Sequence, residues 1–170
     1  MKFFIASTLF LSVLFFTGCK STNEIYIVRH AEKSAEPAND PHLTDEGKLR
    51  AVALKDLLNN KNIKVIFSTA TNRTVETATP LSNSIHIPIQ YYGNDTLPAF
   101  VLEVISLKKN ALIVGHSNTV VFMISGLDLP HTVTTIPDND YDNLFIIKTK
   151  GGRAIKITET TYGAVSPYVK

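Results

Sequence analysis

Arg29-His30, Arg73 and Gly115-His116 are the residues of this chain whose types and placement could do chemistry together. An imidazole can take a phosphoryl group and release it again, which splits one displacement into two easier ones. A planar guanidinium matches phosphate oxygens bidentately and stabilises the charge spread over them. Two histidines and two arginines can therefore surround one phosphate, provided the fold brings them together.

The segments before them predict that it does. Ile25-Tyr26-Ile27-Val28 is a β-branched and aromatic run that breaks at Arg29-His30-Ala31-Glu32-Lys33, too polar to continue a buried strand. Val65-Ile66-Phe67 gives way in the same manner to Ser68-Thr69-Ala70-Thr71-Asn72-Arg73, and Ala111-Leu112-Ile113-Val114 to Gly115-His116-Ser117-Asn118. In open α/β sheets, ligands bind outside the carboxyl ends of the strands, so three polar clusters there should converge.

With these residues the chain resembles the histidine phosphatase superfamily, the phosphoglycerate mutase-like or Arg-His-Gly branch. The family triplet stands here as Arg29-His30-Ala31, with alanine for glycine, as in other short members. Leu43-Thr44-Asp45-Glu46-Gly47 matches the L-T-x-x-G helix start, and Ser68 to Ala78 matches S-x-x-x-R-x-x-x-T-A with one extra residue before Arg73. Gly115-His116 matches the second histidine. Four matches in one order are specific where any one is weak.

The resemblance implies a phosphatase that hydrolyses a phosphomonoester or phosphohistidine through a covalent phosphohistidine on His30. Arg29 and Arg73 would grip the phosphate, and His116 would donate to the transferring oxygens. Asn118 and the helix start after Ser117 would add donors. The proton for the leaving group would come from an acid before the last site strand; the candidate is Asp95, which serves equally well as a helix cap before Thr96-Leu97-Pro98. Glu32 is the alternative acid. Glu32, Lys33, Asp142 and His131 are further candidates for substrate contact. Glu76 and Thr77 read as supporting or surface residues, Ser68 as a turn former, Glu103, Arg50 and Arg153 as solvated, and His42 and His86 as incidental. No cofactor or metal is expected, and the partner would be a phosphorylated small molecule or a phosphoprotein.

The elements that must position these groups follow from periodicity. Thr44 can cap a helix with Asp45 and Glu46 in its first turn, and Leu49, Val52, Ala53 and Leu57 should face the sheet. Asn72 to about Asn83 reads as a helix despite Pro80. Ile85 to Tyr92 reads as an edge strand broken by Pro88, and Leu97 to Lys108 as a helix with Phe100, Val101, Val104 and Ile105 on one face. A helix over 119–126 and a polar loop over 127–140 follow. Leu144 to Lys148 and Ala154 to Thr160 read as a hairpin turning through Gly151-Gly152. Strands alternating with helices predict an α/β fold: three layers, a mostly parallel sheet flanked by helices, phosphoglycerate mutase-like, with a C-terminal β-hairpin and no helical lid.

At 170 residues there is room for one domain with a substantial core, and a formal charge of +2 without a basic run argues against nucleic acid as a partner. Met1-Lys2, the apolar stretch from Phe3 to Phe16 and Thr17-Gly18 read as a signal peptide over residues 1–18, too short to span a membrane comfortably. Cys19 is the only cysteine, which excludes an internal disulfide and a C-x-x-C motif. Its position resembles a bacterial lipoprotein processing site, where several acyl chains on one cysteine anchor stably. On that reading residues 19–23 are a lipidated cysteine and tether, residues 24–170 form the domain, and the protein sits at the bacterial cell envelope, membrane-anchored outside the cytoplasm. An ordinary secretory signal with an incidental cysteine is the simpler alternative.

Two other chemistries fit parts of the pattern. Leu112 to Ser117 followed by a helix resembles the nucleophile elbow of an α/β-hydrolase with Ser117 as nucleophile, although Thr119 stands where glycine is wanted. His30-x-Glu32 lacks the cysteines or the H-E-x-x-H helix of a zinc hydrolase. A lipoprotein that binds a phosphate ligand without turnover also keeps the same residues.

Overall fold

A computed structural model describes residues 21–93 and 97–167 of the chain; Cys19 and Asp95 lie outside the described residues. The apolar runs form the strands β1 (Thr22–Arg29), β2 (Val65–Ser68), β3 (Ile89–Tyr91) and β4 (Ala111–Gly115). They lie in the order β3-β2-β4-β1 and are all parallel. The hairpin β5 (Asn143–Lys150) and β6 (Arg153–Thr161) adds two antiparallel strands beside β1. Helices α1 (Asp45–Leu58), α2 (Asn72–Ile85) and α3 (Leu97–Ser106) join the parallel strands, α4 (Ser117–Ser125) leads from β4 to the hairpin, and the four cover the sheet.

Successive residues of a strand point to opposite faces, and the two cores divide accordingly. Ile25 and Ile27 of β1 pack with Val101, Val104 and Ile105 of α3 and with Val120 and Met123 of α4. Tyr26 and Val28 pack on the other side with Leu54 and Leu58 of α1 and Ala78 and Leu81 of α2. The central strands are thus buried on both faces, which is why they read as unbroken apolar runs.

Three local expectations differ from the structure. Strand β1 begins at Thr22, inside the stretch read as a tether. Only Ile89–Tyr91 forms an edge strand, because α2 runs through Pro80 to Ile85 and His86 then turns left-handed at φ 56°. The largest difference is the rotation of α1: Leu49 is 71% exposed, and Val52 and Leu57 are exposed too, whereas Gly47, Arg50, Ala51, Leu54 and Leu58 face the protein. Arg50, read as solvated, is 4% exposed and makes two-pronged contact with the Glu32 carboxylate, at 2.9 Å from Nε and 2.6 Å from Nη2. Its Nη1 donates to the Tyr162 carbonyl at 2.9 Å.

Candidate active site

The register Arg29↔Gly115 between β1 and β4 puts His30 and His116 one residue beyond two adjacent strand ends. The His30 backbone N–H donates to the Gly115 carbonyl at 2.8 Å, extending the ladder by one bond. The imidazole rings stand edge to face with centroids 5.5 Å apart. Gly115 carries no side chain for a steric reason: a Cβ there would lie 2.7 Å from both the Thr119 and Tyr92 hydroxyl oxygens.

Hydrogen bonds define both tautomers. His30 Nδ1 lies 2.8 Å from the Ala31 carbonyl, which can only accept, so Nδ1 carries the hydrogen and Nε2 keeps its lone pair. His116 Nδ1 lies 3.4 Å from Arg73 Nη2, which can only donate, so its hydrogen is on Nε2, directed to Thr69 Oγ1 at 3.0 Å. Thr69 in turn lies 2.9 Å from the Thr74 hydroxyl, which donates onward to backbone carbonyls. Burial is the main cause that depresses both histidines, His30 to about 3 and His116 to about 4, and the nearby arginines act in the same direction. Both rings are therefore neutral at pH 7, and His30 presents a free lone pair.

Arg29, 3% exposed, is held by the 127–142 segment: Nη1 donates to the Pro137 and Asp140 carbonyls at 2.6 and 3.2 Å, and the guanidinium lies 4.5 Å from the Tyr141 ring centroid. Arg73 opens α2, where the Asp40 carboxylate accepts from the Asn72 N–H at 2.9 Å and lies 3.6 Å from Arg73 Nη1. Among the described residues, the Nε–H groups of Arg29 and Arg73 are buried without an acceptor. Unpaired buried donors of this kind cost about 1–3 kcal/mol each, a cost that a bound oxyanion would offset. The Ala31 N–H donates to the Thr77 hydroxyl at 2.9 Å, and that hydroxyl donates to the Arg73 carbonyl at 2.7 Å, so Thr77 ties the His30 turn to the helix carrying Arg73.

The structure brings Arg29, His30, Arg73 and His116 together and engages the other described candidates in different contacts, while Asp95 lies outside the described residues. Asn118 is exposed, and its side-chain carbonyl accepts from the Thr119 N–H at 2.9 Å. Glu32 is occupied by Arg50. Lys33 is exposed, Asp142 is buried and accepts from the Ser166 N–H at 3.0 Å, and Glu76 accepts from the Leu43 N–H at 2.8 Å and pairs with His42. His131 bonds the Leu129 carbonyl and Ser125, so it is engaged away from Ser117. Sequence reasoning missed Thr69, Tyr141 and the carbonyls on Arg29. Thr69 carried a signal, a hydroxyl beside Ser68 at a strand end, whereas Tyr141 lies in a loop with no periodicity to mark it.

The L-T-x-x-G segment belongs to the same construction. Thr44 Oγ1 accepts from the Gly47 N–H at 3.1 Å to cap α1, and the Thr44 N–H donates to the Glu32 carbonyl at 2.9 Å. Gly47 then lies against Glu32 so closely that a Cβ would come 2.2 Å from the Glu32 carbonyl oxygen. The start of α1 and the Glu32–Arg50 pair clamp the segment that leaves His30.

A three-layer α/β sheet with two histidines and two arginines at the carboxyl ends of its central strands defines a phosphoglycerate mutase-like domain. The model of the histidine phosphatase superfamily (branch 1) matches residues 25–93, so the chain is similar to that superfamily over this stretch. Solved structures share the fold. A mycobacterial glucosyl-3-phosphoglycerate phosphatase superposes with a TM-score of 0.64 at 12% identity over 84% of this chain and 99% of its own. Its complex with inorganic phosphate gives 0.62 at 13% identity over 84% and 98%. The protein histidine phosphatase SixA complexed with tungstate gives 0.63 at 15% identity over 85% and 97%. Among curated proteins no sequence relative matches.

Proposed function

We propose that the protein is a phosphatase that hydrolyses a phosphomonoester or a phosphohistidine through a phosphohistidine on His30. The observation that carries this reading is the neutral His30 ring, its Nδ1–H fixed on the Ala31 carbonyl and its Nε2 lone pair free beside two guanidinium groups with unsatisfied N–H donors. Nε2 attacks phosphorus, the bond to the leaving oxygen or nitrogen breaks, and the leaving group takes a proton. Water then attacks phosphorus, the P–N bond breaks, and His30 returns to its neutral form. Arg29 and Arg73 stabilise the charge on the non-bridging oxygens in both steps, while the neutral His116, whose one N–H is directed to Thr69, lies beside them and does not donate to those oxygens as the resemblance implies. Asp95 is the proposed proton donor, since Glu32 is already committed to Arg50.

The organic part of the substrate has room beside Tyr141. A cleft of about 570 Å³ lies there, lined by Glu32, Lys33, Leu49 and Val165 among others, a size that suits a small ester or a protruding side chain. The structural neighbours, a glucosyl-3-phosphoglycerate phosphatase and the protein histidine phosphatase SixA, support the same two substrate classes. A leaving-group series tests the assignment. His30→Ala should abolish turnover and the acid-labile, base-stable phosphate trapped on the wild type. Asp95→Asn should slow alkyl phosphates by about 10²–10⁴-fold and p-nitrophenyl phosphate far less, because a nitrophenolate departs without a proton. Turnover without trapped phosphate, undiminished in His30→Ala, would overturn the proposal.

A further inference from the structure

We propose that the end of the domain opposite the catalytic residues is a docking surface for an anionic lipid bilayer, holding the pocket away from the membrane. This inference is independent of the phosphatase reading, and its test does not measure turnover alone.

The surface is assembled from segments far apart in sequence. Lys61 and Lys64 precede β2, Lys108 and Lys109 precede β4, and both loops lie at the amino ends of the parallel strands. Asn110 joins them: its amide donates to the Lys61 carbonyl at 2.7 Å, its side-chain oxygen accepts from the Glu24 N–H at 3.0 Å, and its backbone carbonyl accepts from the Lys64 N–H at 2.9 Å. The hairpin closes on the same end, since Lys150 pairs with Thr22 at the start of β1 and a Cβ on Gly152 would lie 3.2 Å from Lys108 Cε.

The hairpin adds Lys148 and Lys150 on β5 and Arg153 and Lys156 on β6, and all eight side chains are exposed. Their arrangement opposes like charges across the ladder, Lys148 against Lys156 and Lys150 against Arg153. Directly opposed like charges destabilise a sheet, so this pattern works against folding and favours an anionic partner. Among the described residues none of the eight forms an ion pair. Of the carboxylates near this end, Asp56 pairs with Lys55 at 2.8 Å, and Glu24, which accepts from the Tyr26 hydroxyl, is the one negative charge set opposite a cation of the group, Lys148.

The bilayer is favoured over other anions by where the chain enters. Residues 3–16 are the one long apolar stretch of the sequence, and the described chain begins at Ser21, whose carbonyl accepts from the Gly151 N–H within the basic end. Any membrane attachment of that stretch or of Cys19 delivers the cations to the lipid surface, where basic clusters and an inserted chain act together. The catalytic end, one strand length or about 25 Å away, balances Glu36, Asp40, Asp45, Glu46 and Asp138 against Arg29, Lys33, Lys48 and Arg73, with Asp40, Asp45 and Asp138 in ion pairs, so it offers an anionic surface no comparable cluster of cations. The small net charge of +2 conceals this separation.

The test uses the full-length chain mixed with vesicles of phosphatidylcholine alone or of phosphatidylcholine with phosphatidylglycerol, followed by amine acetylation and mass spectrometry. Lys108, Lys109, Lys150 and Lys156 should be acetylated several-fold more slowly with the anionic vesicles, while Lys33 and Lys48 near the catalytic end keep their rates, and high salt should remove the protection. Lys108→Glu with Lys109→Glu should expose the remaining lysines without changing hydrolysis of p-nitrophenyl phosphate in solution. Equal rates with both vesicles, or protection of Lys33 and Lys48 instead, would overturn the proposal. Protection by an oligonucleotide in place of vesicles, with none from anionic lipid, would overturn it in favour of a nucleic-acid surface.

Discussion

Replacing Gly47 by alanine sets two physical effects of opposite sign against each other. Alanine is the better helix former, by up to about 1 kcal/mol, so on propensity alone Gly47→Ala in α1 should stabilise the protein. Against this, the new Cβ would lie 2.2 Å from the Glu32 carbonyl oxygen and 3.1 Å from the Glu32 carbonyl carbon and nitrogen. Carbon and oxygen approach to about 3.3 Å in favourable contacts, so helix and turn must separate by about 1 Å. The obstacle is backbone, already fixed by the Thr44 N–H and by Arg50 on the same residue, and overpacking at such a point costs about 1–3 kcal/mol. The net effect should be destabilising, by up to about 2 kcal/mol, or roughly 4–8 °C in melting temperature for a chain of this size. Glu32 is two residues from His30, and a 1 Å misplacement of a reacting group can cost about 10²-fold in rate. Calorimetry and kcat/KM on p-nitrophenyl phosphate should therefore fall together. A Gly47→Ala protein with a raised melting temperature and wild-type turnover would show that propensity dominates and that the contact does not hold the His30 turn.

Thr69→Val removes the acceptor for the His116 Nε2–H and should lower kcat by about one to two orders of magnitude while costing only about 1 kcal/mol of stability; a larger loss of stability than of rate would assign Thr69 to folding alone. Arg50→Met leaves the Glu32 carboxylate half-buried without its partner and should destabilise by about 3 kcal/mol, measured by urea unfolding, whereas Glu32→Gln with Arg50→Met should recover much of it. His30 and His116 are both depressed below the ordinary histidine value, so between about pH 3 and 6.5 the unfolded chain binds more protons than the folded one. Stability should be full above pH 6.5 and fall as the pH drops, by at most about 1.4 kcal/mol per pH unit for each ring, and His30→Asn should flatten the slope in denaturant titrations. Turnover should survive exhaustive EDTA treatment, since Arg29 and Arg73 supply the positive charge and the free donors; loss of activity restored by one divalent ion would contradict that assignment.

The convergence of the site was legible in the sequence because strand ends announce themselves: an apolar run stops where charge begins, and parallel strands stop on the same side. The rotation of α1 was not, because hydrophobic periodicity counts Leu49 as core and Arg50 as surface. The reverse holds only because Glu32, on the turn after His30, accepts the guanidinium inside the protein, a pairing that no periodicity within α1 records. Ile85 to Tyr92 reads as one strand by composition, but the left-handed turn at His86 divides it into a helix end and a short edge strand. The groups that hold Arg29 are carbonyls of residues 137 and 140, and a backbone acceptor carries no residue signature at all.

Because His30 and His116 leave adjacent parallel strands in matched register, their separation is set by the strand spacing of the sheet rather than by a loop. Amide protons of β1 and β4 should exchange with solvent only when the whole domain opens, so the two rings keep their distance through every smaller fluctuation. Arg29 and the Tyr141 wall answer instead to residues 137–141, a segment without regular structure. Insertions or substitutions there can change what enters the pocket while leaving the spacing of the two imidazoles untouched, which separates the inheritance of chemistry from the variation of specificity.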